Sequence, residues 1–598
     1  MRLHRVLRAA LAGLVALAGV AIDEQEALER ITSQAARLGL VPPADAARPP
    51  PPKLDARSLA TLPAAPPEGF LGAPKDDARD RPAPTPPGGP APAVAAASDE
   101  PSSPGVVAAV RGGDEARPTG TAAPEEPAPT LDLDAPAGDA DDAAAETVDF
   151  DHEAPGPDEP VLVSTGRETW VFAEPRWESR KLGYLRAGAI VRRRAQVATH
   201  RDCRGGWYRV EPRGYVCVGS RASLERSHPI ARLSARRPDR AGLPYAYALT
   251  RYPTPPLYAR LPTDEEQRAV EGPVEAYRKA LAALRSKPEF VPPPPPDPLP
   301  AELADGRLLP ATAGDPRAPD QLVLGHARMR SGWALLGTYE SGTRRFGLTT
   351  ELMLVPLDRT RIVKPSSFHG VELSDEYGLP LAITRARTTR SYRIDAGAAV
   401  TAGPSLGLRE ALPLTGREHR WRDGLLLEVR DGSWVRADQV TVIERPQSLP
   451  RFARRGTKWI DVSILRQSLV AYEGPRPVYA TLVSTGKDGL EDPAESHATV
   501  QGTFLVHTKH LTVTMDAEPE EGEEFDLRDV PFVQYFKEGY ALHAAYWHDD
   551  FGTARSHGCV NLAPIDAAWL FGWTTPGVPE GWHAAMSLKE GTIVHIHP

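Results

Sequence analysis

Three cysteines in 598 residues are too few for a disulfide-stapled scaffold, and an odd count leaves one thiol unpaired in an oxidising compartment. Aromatic residues are scarce where proline is dense. Between Val41 and Pro160 stand 26 of the 63 prolines, with only Phe70 and Phe150 and no Trp or Tyr. Such a stretch cannot bury enough apolar surface to offset its ordering entropy, so residues 22–160 are expected to be a disordered, Pro/Ala-rich and acidic linker. All eleven tryptophans lie from Trp170 onward, which places the folded mass C-terminally. Positive charge is missing from residues 121–160, where thirteen Asp and Glu stand without a Lys or Arg. The whole-chain charge of −9 therefore leaves the rest near +4, which argues against an electrostatically driven nucleic-acid binder. The acidic run itself reads as a solvated tail.

Long apolar runs are absent too. The one N-terminal run, Ala9 to Val20, is too short to cross ~30 Å of hydrocarbon as a permanent helix. It follows Arg2, Arg5 and Arg8 and ends in Gly19-Val20-Ala21, so residues 1–21 read as a secretory signal, with no Cys after it to carry a lipid. The protein is expected to be exported to the periplasm or cell envelope, with no transmembrane span after signal cleavage.

Residues 161–223 alternate apolar and polar positions in short runs broken by glycine. Trp207–Val210 and Tyr215–Val218 flank a turn at Pro212-Arg213-Gly214 and predict a hairpin. The pattern resembles a bacterial Src-homology-3-like small β-barrel. Cys203 and Cys217 lie across this hairpin and are the expected disulfide pair; closing so short a loop stabilises by ~3 kcal/mol. Residues 224–375 form a mixed region of unassigned role, with a helix predicted over Val274–Leu284 and a stiff polyproline connector at Pro292–Pro300. Residues 376–446, with a hairpin through Asp431-Gly432, read as a second small β-barrel. From 456 to 598 strands become dense, with one helix predicted from Pro564 to Phe571 and a last strand, Thr592–His597, closing the sheet. The fold class is multidomain and mainly β.

The chemistry concentrates in this last region. His543 precedes, by twelve intervening residues, the run Ser556-His557-Gly558-Cys559-Val560-Asn561. A thiol becomes a nucleophile as thiolate, and a neighbouring imidazole supplies deprotonation and charge pairing. Glycine lets backbone approach a substrate carbonyl, where the amides of Gly558 and Cys559 would hold an oxyanion. The helix starting at Pro564 points its positive end toward this loop.

His543 with Ser556–Asn561 resembles the signature of the L,D-transpeptidase (YkuD-type) catalytic family, and Thr499–Phe504 is similar to that family's Thr-Pro-x-Gly-x-Phe element. Val500 replaces the proline, and the His-to-Ser spacing is shorter than usual, implying a trimmed lid. The resemblance covers 456–598. It implies that Cys559 attacks the third residue of a peptidoglycan stem peptide, expels D-alanine and forms a thioester that an amine resolves. The resolving amine would come from a second stem, giving a 3→3 cross-link, or from a lysine-bearing envelope protein; a free D-amino acid or water would also serve. It further implies His543 as general base, oriented by the carbonyl of Ala544, His557 as a supporting group, and Asn561 holding substrate and loop. A hydrolase using the same thioester and a non-catalytic wall-binding scaffold are the competing readings.

The remaining histidines carry blander expectations. His548, with Asp549 and Asp550, reads as a solvated loop residue; His507 and His510 as surface positions; His595 and His597 as facing away from the core by strand period. Cys559, His557 and His543 lack the closed four-ligand pattern of a zinc site, and the chemistry calls for no metal or cofactor.

Overall fold

The computed structural model describes residues 155–598 except 314, 316, 319, 376 and 517–525. The expected signal, 1–21, and nearly all of the expected linker, 22–160, lie outside the described residues. Strands dominate, with few helices.

The C-terminal region opens with a meander, Lys458–Ser463, Ser468–Glu473 and Arg476–Leu482. Trp459 opposes Tyr472 in register, and their rings stack at 4.2 Å between centroids. Ile593–His597 runs parallel to Lys458–Ser463 and antiparallel to Gly502–Leu505, so it lies inside the six-stranded sheet rather than closing its rim. Val371–Glu372 pairs along Arg476–Leu482, so the region of unassigned role donates an edge strand to this sheet.

A second, larger sheet carries the strands that matter for chemistry. Thr508–Asp516 pairs with Asp526–Lys537, which pairs with Tyr540–Ala544, which runs parallel to Val560–Leu562. The sheet does not stop at the C-terminal region. Asp526–Lys537 lies parallel to Ser331–Ser341, and Ala584–Met586 bridges Thr508–Asp516 to Lys181–Leu185. Regions that read as separate along the sequence therefore share one sheet, and one buried cluster joins Leu162, Val171 and Leu182 to Ile460, Phe532 and Val594.

This continuity corrects the expectation for two histidines. His507 is buried, and His510 lies beneath Tyr184, whose hydroxyl is 3.1 Å from Nδ1. The Lys181–Leu185 strand covers a face that local alternation leaves open, and burial pulls His510 down to about 4.

Upstream, Cys203 and Cys217 are disulfide-bonded with Cα atoms 5.9 Å apart, beside the edge-packed rings of Phe172, Trp177 and Trp207. The helix predicted from Val274 runs Glu275–Leu284. A second helix, Asp264–Glu271, starts at a reciprocal capping box between Thr263 and Glu266, a signal present in the sequence but not read there. Arg344 lies buried between Glu271 and Asp358, and Glu271 also takes Arg359. The proline run does not stand free as a connector: Thr338 donates its hydroxyl toward the carbonyls of Pro294 and Pro295. Leu381–Ile443 supplies all strands of a seven-stranded sheet.

The helix Pro564–Trp573 carries proline in its first turn and ends on a buried lysine. Lys509 is fully buried and donates to the carbonyls of Phe571 and Thr574 at 2.6 and 2.8 Å and to Thr574 Oγ1 at 2.9 Å. Three acceptors match the three hydrogens of an ammonium, so this lysine is the C-terminal cap. Lys509→Met should leave these carbonyls buried and unmatched and lower unfolding free energy by about 3 kcal/mol, read as a lower urea midpoint. An unchanged midpoint would contradict this capping role.

Candidate active site

Tyr540–Ala544 and Val560–Leu562 place His543 opposite Asn561 across a parallel ladder. Directly paired residues share a side of a sheet, and Cys559, two residues before Asn561, falls on that side by the same alternation. Gly558 makes the approach to this strand possible. Its φ is +125°, and a Cβ there would stand 2.9 Å from the Tyr540 ring. The loop is tied at several points. Thr499 Oγ1 donates to the Gly558 carbonyl at 2.7 Å and accepts the Gly486 amide at 2.8 Å. Lys487 N–H donates to the Ser556 carbonyl, and Ser556 N–H to that of Thr485. Thr499 thus holds the cysteine loop, a role not read from the sequence although the residue stood within the quoted motif.

The Cys559 sulfur is half-buried and lies 3.5 Å from the Gly539 carbonyl, with the backbone amide of Ala541 favouring its charged form. Burial pushes its thiol up to about 11, against the opposing pull of that amide. His543 is buried, with Nδ1 3.1 Å from the Ala544 carbonyl. A carbonyl only accepts, so Nδ1 carries the proton and the Nε2 lone pair is the basic one. Burial lowers this imidazole to about 4. Thiol and imidazole are therefore both neutral at rest near pH 7, and the proton leaves sulfur as attack proceeds rather than beforehand. Alkylation of Cys559 by iodoacetamide should accordingly rise about tenfold per pH unit between 7 and 10. A plateau already reached at pH 7 would instead indicate a preformed thiolate–imidazolium pair.

One of the two amides expected to face an oxyanion has a partner within the loop. Gly558 N–H donates to Ser556 Oγ at 3.1 Å, and that hydroxyl donates onward to the Cys559 carbonyl. The Gly558 amide is thus engaged inside the loop. His557 is half-exposed, and its ring meets His497 edge-on at 4.6 Å.

His548 also departs from its solvated reading. It packs on Phe551 at 5.1 Å between centroids, and Asp550 N–H donates to its Nδ1 at 3.2 Å. Its Nε2 faces the Asn561 amide at 3.1 Å. In a neutral ring whose Nδ1 accepts, Nε2 must donate, so the Asn561 atom facing it is the amide oxygen. As placed, Nδ2 faces His548 and Oδ1 is buried without a protein partner among the described residues; exchanging the two ends of the amide, as a donating Nε2 requires, presents the NH2 at that position, where it suits a substrate carbonyl. Burial, with Arg555 and His543 nearby, pulls His548 down to about 3, so it stays neutral in this role.

The loop that follows His543 is pinned from far upstream. Arg409 donates to the Asp549 carboxylate at 2.7 Å and to its carbonyl at 2.5 Å, and its guanidinium lies over the rings of Phe368 and Phe551. Ser366 donates to the same carboxylate. His595 and His597 are half-exposed and alternate with buried Val594 and Ile596.

Residues 457–596 match the family model of the L,D-transpeptidase catalytic domain, YkuD, and this region belongs to that family. The curated relative YciB of Bacillus subtilis (strain 168), named as a candidate L,D-transpeptidase, is 31% identical over 139 residues, 19% of this chain. The chain spans 59% of that relative's length. Among solved structures, the catalytic domain of the Enterococcus faecium L,D-transpeptidase is 21% identical, covering 24% of this chain and 98% of that one, with a TM-score of 0.19. An L,D-transpeptidase from Xylanimonas cellulosilytica is 22% identical, covering 26% and 64%, with a TM-score of 0.18. Among the described residues no helix is long and apolar enough to cross a membrane.

Proposed function

We propose that the protein is an exported cysteine L,D-transpeptidase that remodels peptidoglycan. One observation carries the reading: the His543 strand and the strand entered by Cys559 run side by side, with Nδ1 of His543 fixed on the Ala544 carbonyl and Nε2 left as base. Cys559 Sγ attacks the carbonyl of the third stem residue while Nε2 takes its proton. The tetrahedral oxygen takes the Cys559 amide, and Asn561 NH2 holds a neighbouring substrate carbonyl. Collapse breaks the bond to D-alanine, whose nitrogen receives the proton from His543, and leaves a thioester. An amine then attacks the thioester with His543 again accepting a proton, and the thiol is restored. Dividing one amide exchange into two acyl transfers lowers each barrier.

The acceptor, whether a stem amine or a protein lysine, is read from products. Purified protein incubated with tetrapeptide-stem muropeptides should release D-alanine and give 3→3 linked dimers detectable by mass spectrometry. Release of D-alanine with only tripeptide stems would assign hydrolysis instead. No D-alanine release would leave the scaffold reading.

A further inference from the structure

Away from the cysteine, a cavity of about 530 Å³ lies between residues of the 161–223 region, the segment after it and the Gly581–His583 turn. Its lining is rich in arginine and poor in acid. Arg186 is neutralised by Asp529, and Arg237 and Arg240 share Glu580 at 3.5 and 3.6 Å. Arg194, Arg209 and Arg236 also line it, and none has a carboxylate partner among the described residues. The hydroxyl of Ser234, on the same wall, is buried without a hydrogen-bond partner among the described residues. Three uncompensated guanidinium groups around one cleft form a site for carboxylates, each able to receive a two-point hydrogen bond.

The chain supplies such carboxylates at the mouth of this cleft. Pro155 is itself part of the lining. Arg226 fixes the adjoining backbone by donating to the Gly156 carbonyl at 2.6 Å. Glu159, the last acid of the 121–160 run, already pairs at 2.8 Å with Arg192, another lining residue. Immediately before Pro155 the sequence reads Asp149-Phe150-Asp151-His152-Glu153. In an extended chain the three acids would share one side and the two rings the other. Trp582 and Tyr245 give the cleft apolar wall for such rings. Tethering keeps these groups at high effective concentration near the cleft, so several individually weak pairs act together.

We propose that this cleft is a binding site for an acidic peptide and that its occupant is the chain's own segment around Asp149–Glu153. Sequence alone reads that run as a solvated tail; the cleft provides the partner that the sequence did not show.

The test uses the full chain carrying Arg194→Lys and Arg209→Lys, treated with a water-soluble carbodiimide that joins a carboxylate directly to an amine. Peptide mapping by mass spectrometry should find Asp149, Asp151 or Glu153 linked to the amines introduced at 194 and 209. Adding Asp149→Asn, Asp151→Asn and Glu153→Gln should remove cross-links between the 121–153 stretch and these two amines about tenfold, as should 0.5 M salt, because the contact is ionic. Cross-links spread evenly over other exposed lysines such as Lys458, or unchanged by salt, would overturn the proposal. So would tight, arginine-dependent binding of inorganic polyphosphate to a chain that forms no such cross-links, since the cleft would then serve an external anion.

Discussion

Replacing Cys559 by alanine should reduce acyl transfer by at least about 10⁴-fold while leaving the fold in place. Alanine has no atom that can bond a carbonyl carbon, so no thioester forms. The cost to stability is small, because the sulfur makes a long contact to the Gly539 carbonyl and the residue is half-exposed. Cys559→Ser should be nearly as inactive. An alcohol holds its proton far more tightly than a thiol, and a neutral imidazole lowered to about 4 is a weak base for it. A carbapenem, whose strained lactam imitates the scissile amide, should add once to the wild-type chain and not to Cys559→Ala in intact-protein mass spectra. An adduct that persists on the alanine variant would place the nucleophile elsewhere.

The cysteine loop was legible because its determinants are contiguous. Ser556, Gly558 and Cys559 shape one loop through their own hydrogen bonds, and a contiguous loop leaves a contiguous signature. His543 was legible by its spacing and by the neighbouring Ala544 carbonyl, a contact between adjacent residues. His548 was not, because its meaning depends on Asn561, brought to it by strand pairing rather than by sequence. Arg409 lies 140 residues from Asp549, and nothing local to either announces the contact. His507 and His510 were misread for a related reason. Twofold alternation tells which side of a strand a residue occupies, but not whether another strand covers that side, and over His510 Tyr184 does.

The same argument explains why strands were readable and their assembly was not. The Trp459 and Tyr472 strands declare themselves by β-branched and aromatic content, and hairpins by their turns. The parallel pairing of Ser331 with Asp526 has no turn to mark it, so the merging of upstream strands with the catalytic sheet left no trace in the sequence pattern. The consequence is functional. The loop carrying His548 rests on Arg409, between two strands of the seven-stranded sheet, and on Ser366, so the upstream regions brace the loop that follows His543.

His543→Ala should lower the rate of thioester formation about 10²- to 10⁴-fold, the usual worth of a positioned proton acceptor. The resting thiol is held up to about 11, so without Nε2 only a minute thiolate fraction at pH 7 could attack. Raising the pH should therefore recover much of the lost rate in this variant, climbing toward pH 10 as hydroxide replaces imidazole. Wild type should gain far less over that range, since its base is already unprotonated well below neutrality. At the acid end the wild-type rate should fall only as pH approaches 4, where His543 gains a proton. Because His543 lies buried against Trp547, the alanine also opens a small cavity, so thermal unfolding should be followed alongside. A variant that keeps its unfolding midpoint, loses rate at pH 7 and regains it at pH 10 identifies His543 as the base. Full activity at pH 7 without the imidazole would exclude it.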